Sequence, residues 1–225
     1  MTGDSSKPHA AFSFVIAIVG AGEMGRRIAC AAALAGFRTI LEDISPSALE
    51  QGLVWIRLVL GEEISRGKIG AAVRDAALAN ISTANSAEDA SREADLIIET
   101  VSDELEMKIE LFTIFDKFAR PGAIFASTTT SLPITDLAAV TFCPERCIGM
   151  RFFTDAQTTG RLELVQGRET SEETIAACRE VGRRMGQEVS LSDEQTMTTR
   201  SGDGELRIEK ISQPMGSFHK AETRT

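Results

Sequence analysis

The chain has 225 residues, 43% of them hydrophobic, which suffices for one large α/β domain with a sizeable core, or for one domain and a tail. A formal net charge of −9 argues against a nucleic-acid partner, which selects a basic face. There is no run of about eighteen apolar residues to cross a membrane, and the polar start lacks a signal core, so the expectation is a cytoplasmic protein. Tyrosine is absent, which rules out a Tyr–Lys acid/base pair, and the two histidines, His9 and His219, lie in polar terminal segments. Cys30, Cys143, Cys147 and Cys178 are scattered and have no histidine near them, so they read as reduced structural thiols and no metal site is expected.

In chain order, residues 1–12 read as a disordered leader. The continuous apolar run 14–19 predicts a central parallel strand buried on both faces. It passes through Gly20-Ala21-Gly22-Glu23-Met24-Gly25 into an alanine-rich helix over 26–35 that Gly36 closes. A strand over 39–41 follows and ends in Glu42-Asp43, completing a βαβ unit. Ser45 as N-cap and Pro46 at the first position open a helix carrying Leu49, Leu53, Ile56, Val59 and Leu60. After Gly61 a second helix reaches about residue 78, with Arg66, Lys68 and Arg74 along it.

The rhythm resumes with a strand over 95–99, a helix over 104–118, a turn at Pro121-Gly122 and a strand over 123–126. Strands are expected at 147–153 and 162–165. Thr170 and Glu173 suggest a capping box for a helix to about residue 185, and 188–191 reads as a last short strand. From Ser192 the periodicity ends and a loose polar tail is expected. The domain reading is therefore a leader at 1–12, an α/β unit at 13–192 with a helical insertion at 46–80, and a tail at 193–225. The fold class is α/β, a Rossmann-type doubly wound, mostly parallel sheet with a helical-hairpin insertion.

The glycine loop stands where a dinucleotide fingerprint needs it, after a strand and before a helix, with an acidic residue ending the next strand. Gly20 permits the tight turn, Gly22 lets the backbone approach a pyrophosphate, and Gly25 lets helix and strand pack closely. Glu23 and Met24 complete the loop, and the helix N-terminus presents free N–H groups to the phosphates. Asp43 is placed to accept from both ribose hydroxyls, and with Glu42 beside it would repel a 2′-phosphate, so the cofactor expected is NAD.

The segments IVGAGEMGRRIA, LEDISPSALE, RGKI, ADLIIETVSDELEMKIELF, PGAIFASTTTSLPIT, PERCIGMRFF and LELVQGRETSEET closely resemble the N-terminal domain of 3-hydroxyacyl-CoA dehydrogenases, over about residues 14–193. That family oxidises (S)-3-hydroxyacyl-CoA with NAD, using a histidine as base, a glutamate to orient it, and a serine and an asparagine to hold the substrate oxygen. By this resemblance Gly20, Gly22, Gly25 and Asp43 match cofactor residues, Lys108 a lysine near the nicotinamide end, and Glu163 the orienting glutamate. The basic insertion, with Lys68 and Arg74, would help hold CoA.

The departures are equally specific. Arg151 falls at the histidine position, Thr130 at the serine and Thr128 at the asparagine. Asp103 falls at a glutamate before the nicotinamide, and Arg200 near a second asparagine. The family's helical C-terminal domain has no counterpart in the sequence. The arginine side chain stays protonated in proteins and cannot serve as a general base, so the resemblance implies an NAD-binding protein with impaired catalysis, a pseudo-enzyme. Glu163 reads either as a dyad member or, more simply, as the ion-pair partner of Arg151. The alternatives are an enzyme completed by a partner chain or by arginine assistance, and a truncated product without a role. Acyl-CoA is a candidate ligand, and the face near Thr130 and Phe152 a candidate surface for self-association or a partner chain.

Overall fold

A computed structural model describes residues 14–153 and 160–194, together with the backbone of two further strands, Thr196–Arg200 and Leu206–Lys210. The leader, both histidines, the side chain of Arg200 and everything beyond residue 210 lie outside the described residues.

Val15–Val19 forms β1, fully buried as its continuous apolar run requires. The first helix, α1, is Glu23–Leu34, starting three residues earlier than the alanine run alone suggested. Met24 and Gly25 therefore belong to its first turn. Gly36, at φ +82°, takes the left-handed position just past the cap residue Ala35. Strand β2 is Arg38–Glu42. Helix α2, Pro46–Ser65, is capped by the Ser45 hydroxyl, which accepts from the Ala48 N–H, and it runs straight through Gly61. The break comes later, at Gly67 with φ +71°, before α3 at Ala71–Ala79. One glycine on an exposed helix costs about 1 kcal/mol, too little to end a packed helix.

Within the α/β unit, besides a 3-10 turn at Pro144–Arg146, the elements that went unread in the sequence are β3 at Ile81–Ala84, α4 at Ala87–Glu93, and a short α6 at Ile134–Ala138. Between them lie β4 at Leu96–Glu99, α5 at Leu105–Phe118 and β5 at Ile124–Ser127. Then come β6 at Cys147–Phe153, β7 at Arg161–Gln166, α7 at Glu172–Arg184 and β8 at Glu188–Asp193. The cap of α7 is Ser171, whose hydroxyl accepts from the Thr174 N–H, and not Thr170. Thr170 instead donates to the Cys147 carbonyl at 2.7 Å. In the segment read as an unpatterned tail, the two remaining strands, β9 and β10, pair antiparallel.

The eight strands form one sheet in the order β3-β2-β1-β4-β5-β6-β7-β8. The first six are parallel, and β7 turns antiparallel against β6. The order reverses between β1 and β4, the switch point at which open α/β sheets bind ligands beyond their carboxyl ends. Two apolar layers cover the sheet, one with Ile16, Ile18, Ile28 and Leu41, the other with Val15, Ala17, Phe112, Phe115 and Phe125. All four cysteines are free and buried, and burial pushes the thiols of Cys147 and Cys178 up to about 12. Among the described residues no helix is long and apolar enough to cross a membrane.

Candidate cofactor and active site

The turn from β1 into α1 is locked by its own atoms. Gly20 has φ +102°, and a Cβ there would stand 2.8 Å from Thr100 Oγ1. A Cβ on Gly25 would stand 1.8 Å from the Gly20 carbonyl oxygen, so only glycine lets the helix sit this close to the turn. Thr100, just past β4, donates to the carbonyls of Val19 and Gly20 at 3.1 and 3.0 Å. Gly22 differs: a Cβ there would meet no atom within 4 Å, and its φ of −64° suits any residue. The protein itself does not require glycine at position 22, whereas a pyrophosphate approaching the helix N-terminus would. Gly22→Leu should therefore leave the unfolding temperature nearly unchanged while weakening NADH binding at least about tenfold. Thermal melts and fluorescence titration of the same sample check both halves; undiminished binding would contradict this role.

Asp43 follows β2, and its carboxylate accepts from the Ala21 N–H and the Ser45 N–H, both at 2.8 Å. These bonds tie the acidic residue to the glycine turn and fix it at the rim of a cleft of about 410 Å³, within the range of small-molecule sites. Val19, Ile44, Val101, Met107, Leu111 and Ile114 supply its apolar walls, and Glu42, Asp43, Glu88 and Glu110 its charged groups. Ile44 is 90% exposed and Met107 40%, apolar surface that a planar base would cover. Glu42 is 4% exposed; burial, then the charges of Asp43 and Glu88, push its carboxyl up to about 7.

A buried polar chain crosses the carboxyl edge of the sheet. Lys108 on α5 and Glu99 at the end of β4 are fully buried, with Lys108 Nζ 2.7 and 2.8 Å from the two carboxylate oxygens. Glu99 also accepts from the Val101 N–H and from the Ser127 hydroxyl. Burial raises its carboxyl above the ordinary value even against these donors. Lys108 lies 3.4 Å from Asp103, whose other oxygen accepts from Thr130 N at 3.1 Å and Ser131 Oγ at 3.0 Å. Partial burial pushes Asp103 up, but hydrogen bonds from Thr129, Thr130 and Ser131 with the Lys108 charge hold it below the usual aspartate value. Lys108 is thus enclosed by two carboxylates and the Val101 carbonyl, not open to a ligand.

The same loop reaches the next strand. Arg151 on β6 donates from Nε to the Thr129 carbonyl at 2.9 Å and stands directly across from Glu163 on β7. Its Nη1 lies 3.5 Å from the Glu163 carboxylate, a loose ion pair at a site only 8% exposed on the Arg151 side. Glu163 thus faces Arg151 across the antiparallel strand pair. Thr130 is exposed, Thr128 is half-buried with its N–H donating to the Glu99 carbonyl at 3.2 Å, and Phe152 is half-buried against the core. On the insertion, exposed Lys68 pairs with half-buried Glu63, and half-buried Arg74 with exposed Asp75.

The model of the 3-hydroxyacyl-CoA dehydrogenase NAD-binding domain matches residues 15–194. The chain belongs to this family. It carries the 3-hydroxyacyl-CoA dehydrogenase NAD-binding domain, and NAD is the cofactor of that domain. A "Probable 3-hydroxybutyryl-CoA dehydrogenase" of Bacillus subtilis is 37% identical over 171 residues, 76% of this chain and 59% of that protein. The 3-hydroxybutyryl-CoA dehydrogenase of Bradyrhizobium diazoefficiens is 35% identical, over 80% of this chain and 61% of its own length. The crystal structure of an (S)-3-hydroxybutyryl-CoA dehydrogenase from Ralstonia eutropha superposes with a TM-score of 0.77 at 32% identity, covering 81% of this chain and 64% of that one. The chain thus spans about 60% of the length of these curated relatives.

Within this dehydrogenase domain the structure brings Gly20, Gly22, Gly25 and Asp43 together at one turn, and Asp103, Thr130, Arg151 and Glu163 along one edge. It leaves Lys68 and Arg74 on the insertion. Sequence reasoning missed Thr100, Glu99 and Thr129. Glu99 had a signal: a carboxylate ending an apolar strand, nine residues before a lysine on an otherwise amphipathic helix. Thr129 had none, because its part is played by its carbonyl and by a hydroxyl that accepts from Ser131 N and Leu132 N.

Proposed function

We propose that this chain binds NAD(H), and an acyl-CoA beside it, with little or no turnover of the family reaction, the NAD-dependent oxidation of (S)-3-hydroxyacyl-CoA to 3-ketoacyl-CoA. The observation that carries this reading is Arg151, paired with Glu163 and bonded to the Thr129 carbonyl at the edge where the resemblance requires a histidine. The residues fit a dinucleotide: a helix N-terminus open above Gly22, a ribose-height carboxylate at Asp43, and an apolar cleft for the base. When bound, the oxidised nicotinamide would accept the hydride of that oxidation, and the reduced form would return it to a keto group in the reverse direction. The chain's own residues would position it: the Gly20–Gly25 turn at the phosphates, Asp43 at the ribose, Thr128 and the Asp103 loop at the far end.

On the substrate side, Thr130 and Ser131 hold hydroxyls at an exposed edge, both turned toward Asp103. Arg151 can donate to a keto oxygen and polarise it, but it cannot accept the proton of a hydroxyl. Losing that base typically costs about 10²–10⁴-fold in rate. A second reading keeps weak reduction of a ketoacyl-CoA, assisted by Arg151 and completed by a second copy or a partner chain covering the Thr130 edge. Lys108 is not a substitute acid, since both carboxylates around it compete for its protons.

Cofactor choice gives the first test. Asp43 is fixed by two backbone N–H groups and cannot swing away from a 2′-phosphate. NADH should therefore bind at least about tenfold more tightly than NADPH. Fluorescence titration measures both, and equal affinities would show that Asp43 does not meet the ribose.

A further inference from the structure

We infer that Glu42 is a specificity-determining residue of the cofactor cleft: its carboxylate accepts a hydrogen bond from an exocyclic amine on the ligand's base, so that the cleft selects a 6-amino purine over a 6-oxo purine. This rests on the cleft being the adenosine site. Glu42 ends β2 on the face covered by α4 and α5 and lines the cleft while being 96% shielded from solvent by the rest of the chain, as its 4% exposure states. Buried carboxylates are ordinarily satisfied by donors. Among the described residues no side-chain donor reaches Glu42; the donor beside it is the Gly20 N–H, which bonds the Glu42 carbonyl at 2.9 Å and also acts against burial to hold its carboxyl down.

The surroundings sharpen the demand. The charged groups around Glu42 are Asp43 on its own segment, Glu88 on α4 and Glu110 on α5, and among the described residues no basic side chain lines the cleft. Asn85 and Ser86 are the neutral polar groups there, and the Ser86 hydroxyl already accepts from the Asp89 N–H. An ionised carboxylate can only accept. A base bringing an N–H₂ group offers a donor to these carboxylates, whereas a base bringing a carbonyl oxygen to the same point sets one more acceptor against them. Sites built around a substrate N–H discriminate strongly against the analogue without it, because the buried polar group is then left unpaired.

The test compares reduced NAD with reduced nicotinamide hypoxanthine dinucleotide, in which a 6-oxo group and an adjacent N1–H replace the amine and the bare N1, by nicotinamide fluorescence at about pH 8, where Glu42 is mainly ionised. The wild-type chain should bind the amino form at least about tenfold more tightly. In Glu42→Gln the amide can donate as well as accept, so the ratio should fall to within about threefold, with NADH itself still bound. Glu88→Gln should narrow the ratio by a smaller factor. Equal affinities in the wild-type chain would overturn this inference alone, and a ratio unchanged in Glu42→Gln would take the selection away from Glu42. Failure of both dinucleotides to bind would overturn the adenosine site as well.

Discussion

Lys108→Met should destabilise the domain by about 3–5 kcal/mol, the usual result of removing one partner of a buried ion pair. Glu99 and Lys108 are both fully buried, and the ammonium also bonds the Val101 carbonyl and faces Asp103. Without it, Glu99 keeps the Ser127 hydroxyl and the Val101 N–H but loses its compensating charge. Burial already holds that carboxyl above its ordinary value, and losing Lys108 would raise it further. The sign follows. The folded variant holds a proton that the unfolded chain releases near the ordinary glutamate value of about 4.3, so the loss of stability grows as pH rises above it and shrinks below it. Denaturant unfolding at about pH 5 and pH 8 measures this. Adding Glu99→Gln should recover much of the loss at pH 8, because no charge is then buried alone. A single variant within about 1 kcal/mol of wild type would show that the pair does not hold this edge.

The second large effect is a gain. Arg151→His should raise the rate of acetoacetyl-CoA reduction by about tenfold or more, since general acid–base catalysis is typically worth about 10²–10⁴-fold. The reason is geometric. Arg151 and Glu163 are register partners on adjacent antiparallel strands, so a histidine at 151 would face a carboxylate able to orient its ring and fix its tautomer. The recovery should be partial. Thr130 is exposed and turned toward Asp103 rather than toward an enclosed substrate, and misplacement by about 1 Å can cost about 10²-fold. Steady-state consumption of NADH reads the result. No gain in a variant that still binds NADH would mean that residue 151 is not where the proton is exchanged.

Much of the cofactor half was legible in the sequence because each signal there is local. The strand–glycine–helix order, the acid after β2 and the helical insertion are all read from adjacent residues, and the sheet order follows from the βαβ rhythm. The elements that escaped are short and weakly patterned: Ile81–Ala84 is half polar, and Ala87–Glu93 is only two turns long. At the other edge of the site the Arg151–Glu163 pairing was legible only through the family resemblance, which matched both positions before their strand register was known. What could not be read were long-range polar contacts. The burial of Lys108 against Glu99, the clasp of Thr100 on the glycine turn and the Thr129 carbonyl on Arg151 join strands whose separation in sequence carries no pattern. The position of Glu42 is the reverse case. It was taken as a neighbour of Asp43 on the ribose, but strand alternation sends its side chain to the α4–α5 face, into the cleft.

One experiment bears most directly on the proposal that this domain binds its cofactor with little or no turnover: an assay of acetoacetyl-CoA with NADH on the unmodified chain, run beside a calorimetric titration of NADH. The expected result is saturable NADH binding with turnover reduced by about 10²-fold or more relative to a histidine-bearing relative under the same conditions. Turnover equal to that relative's would contradict the account, because a base other than residue 151 would then be at work.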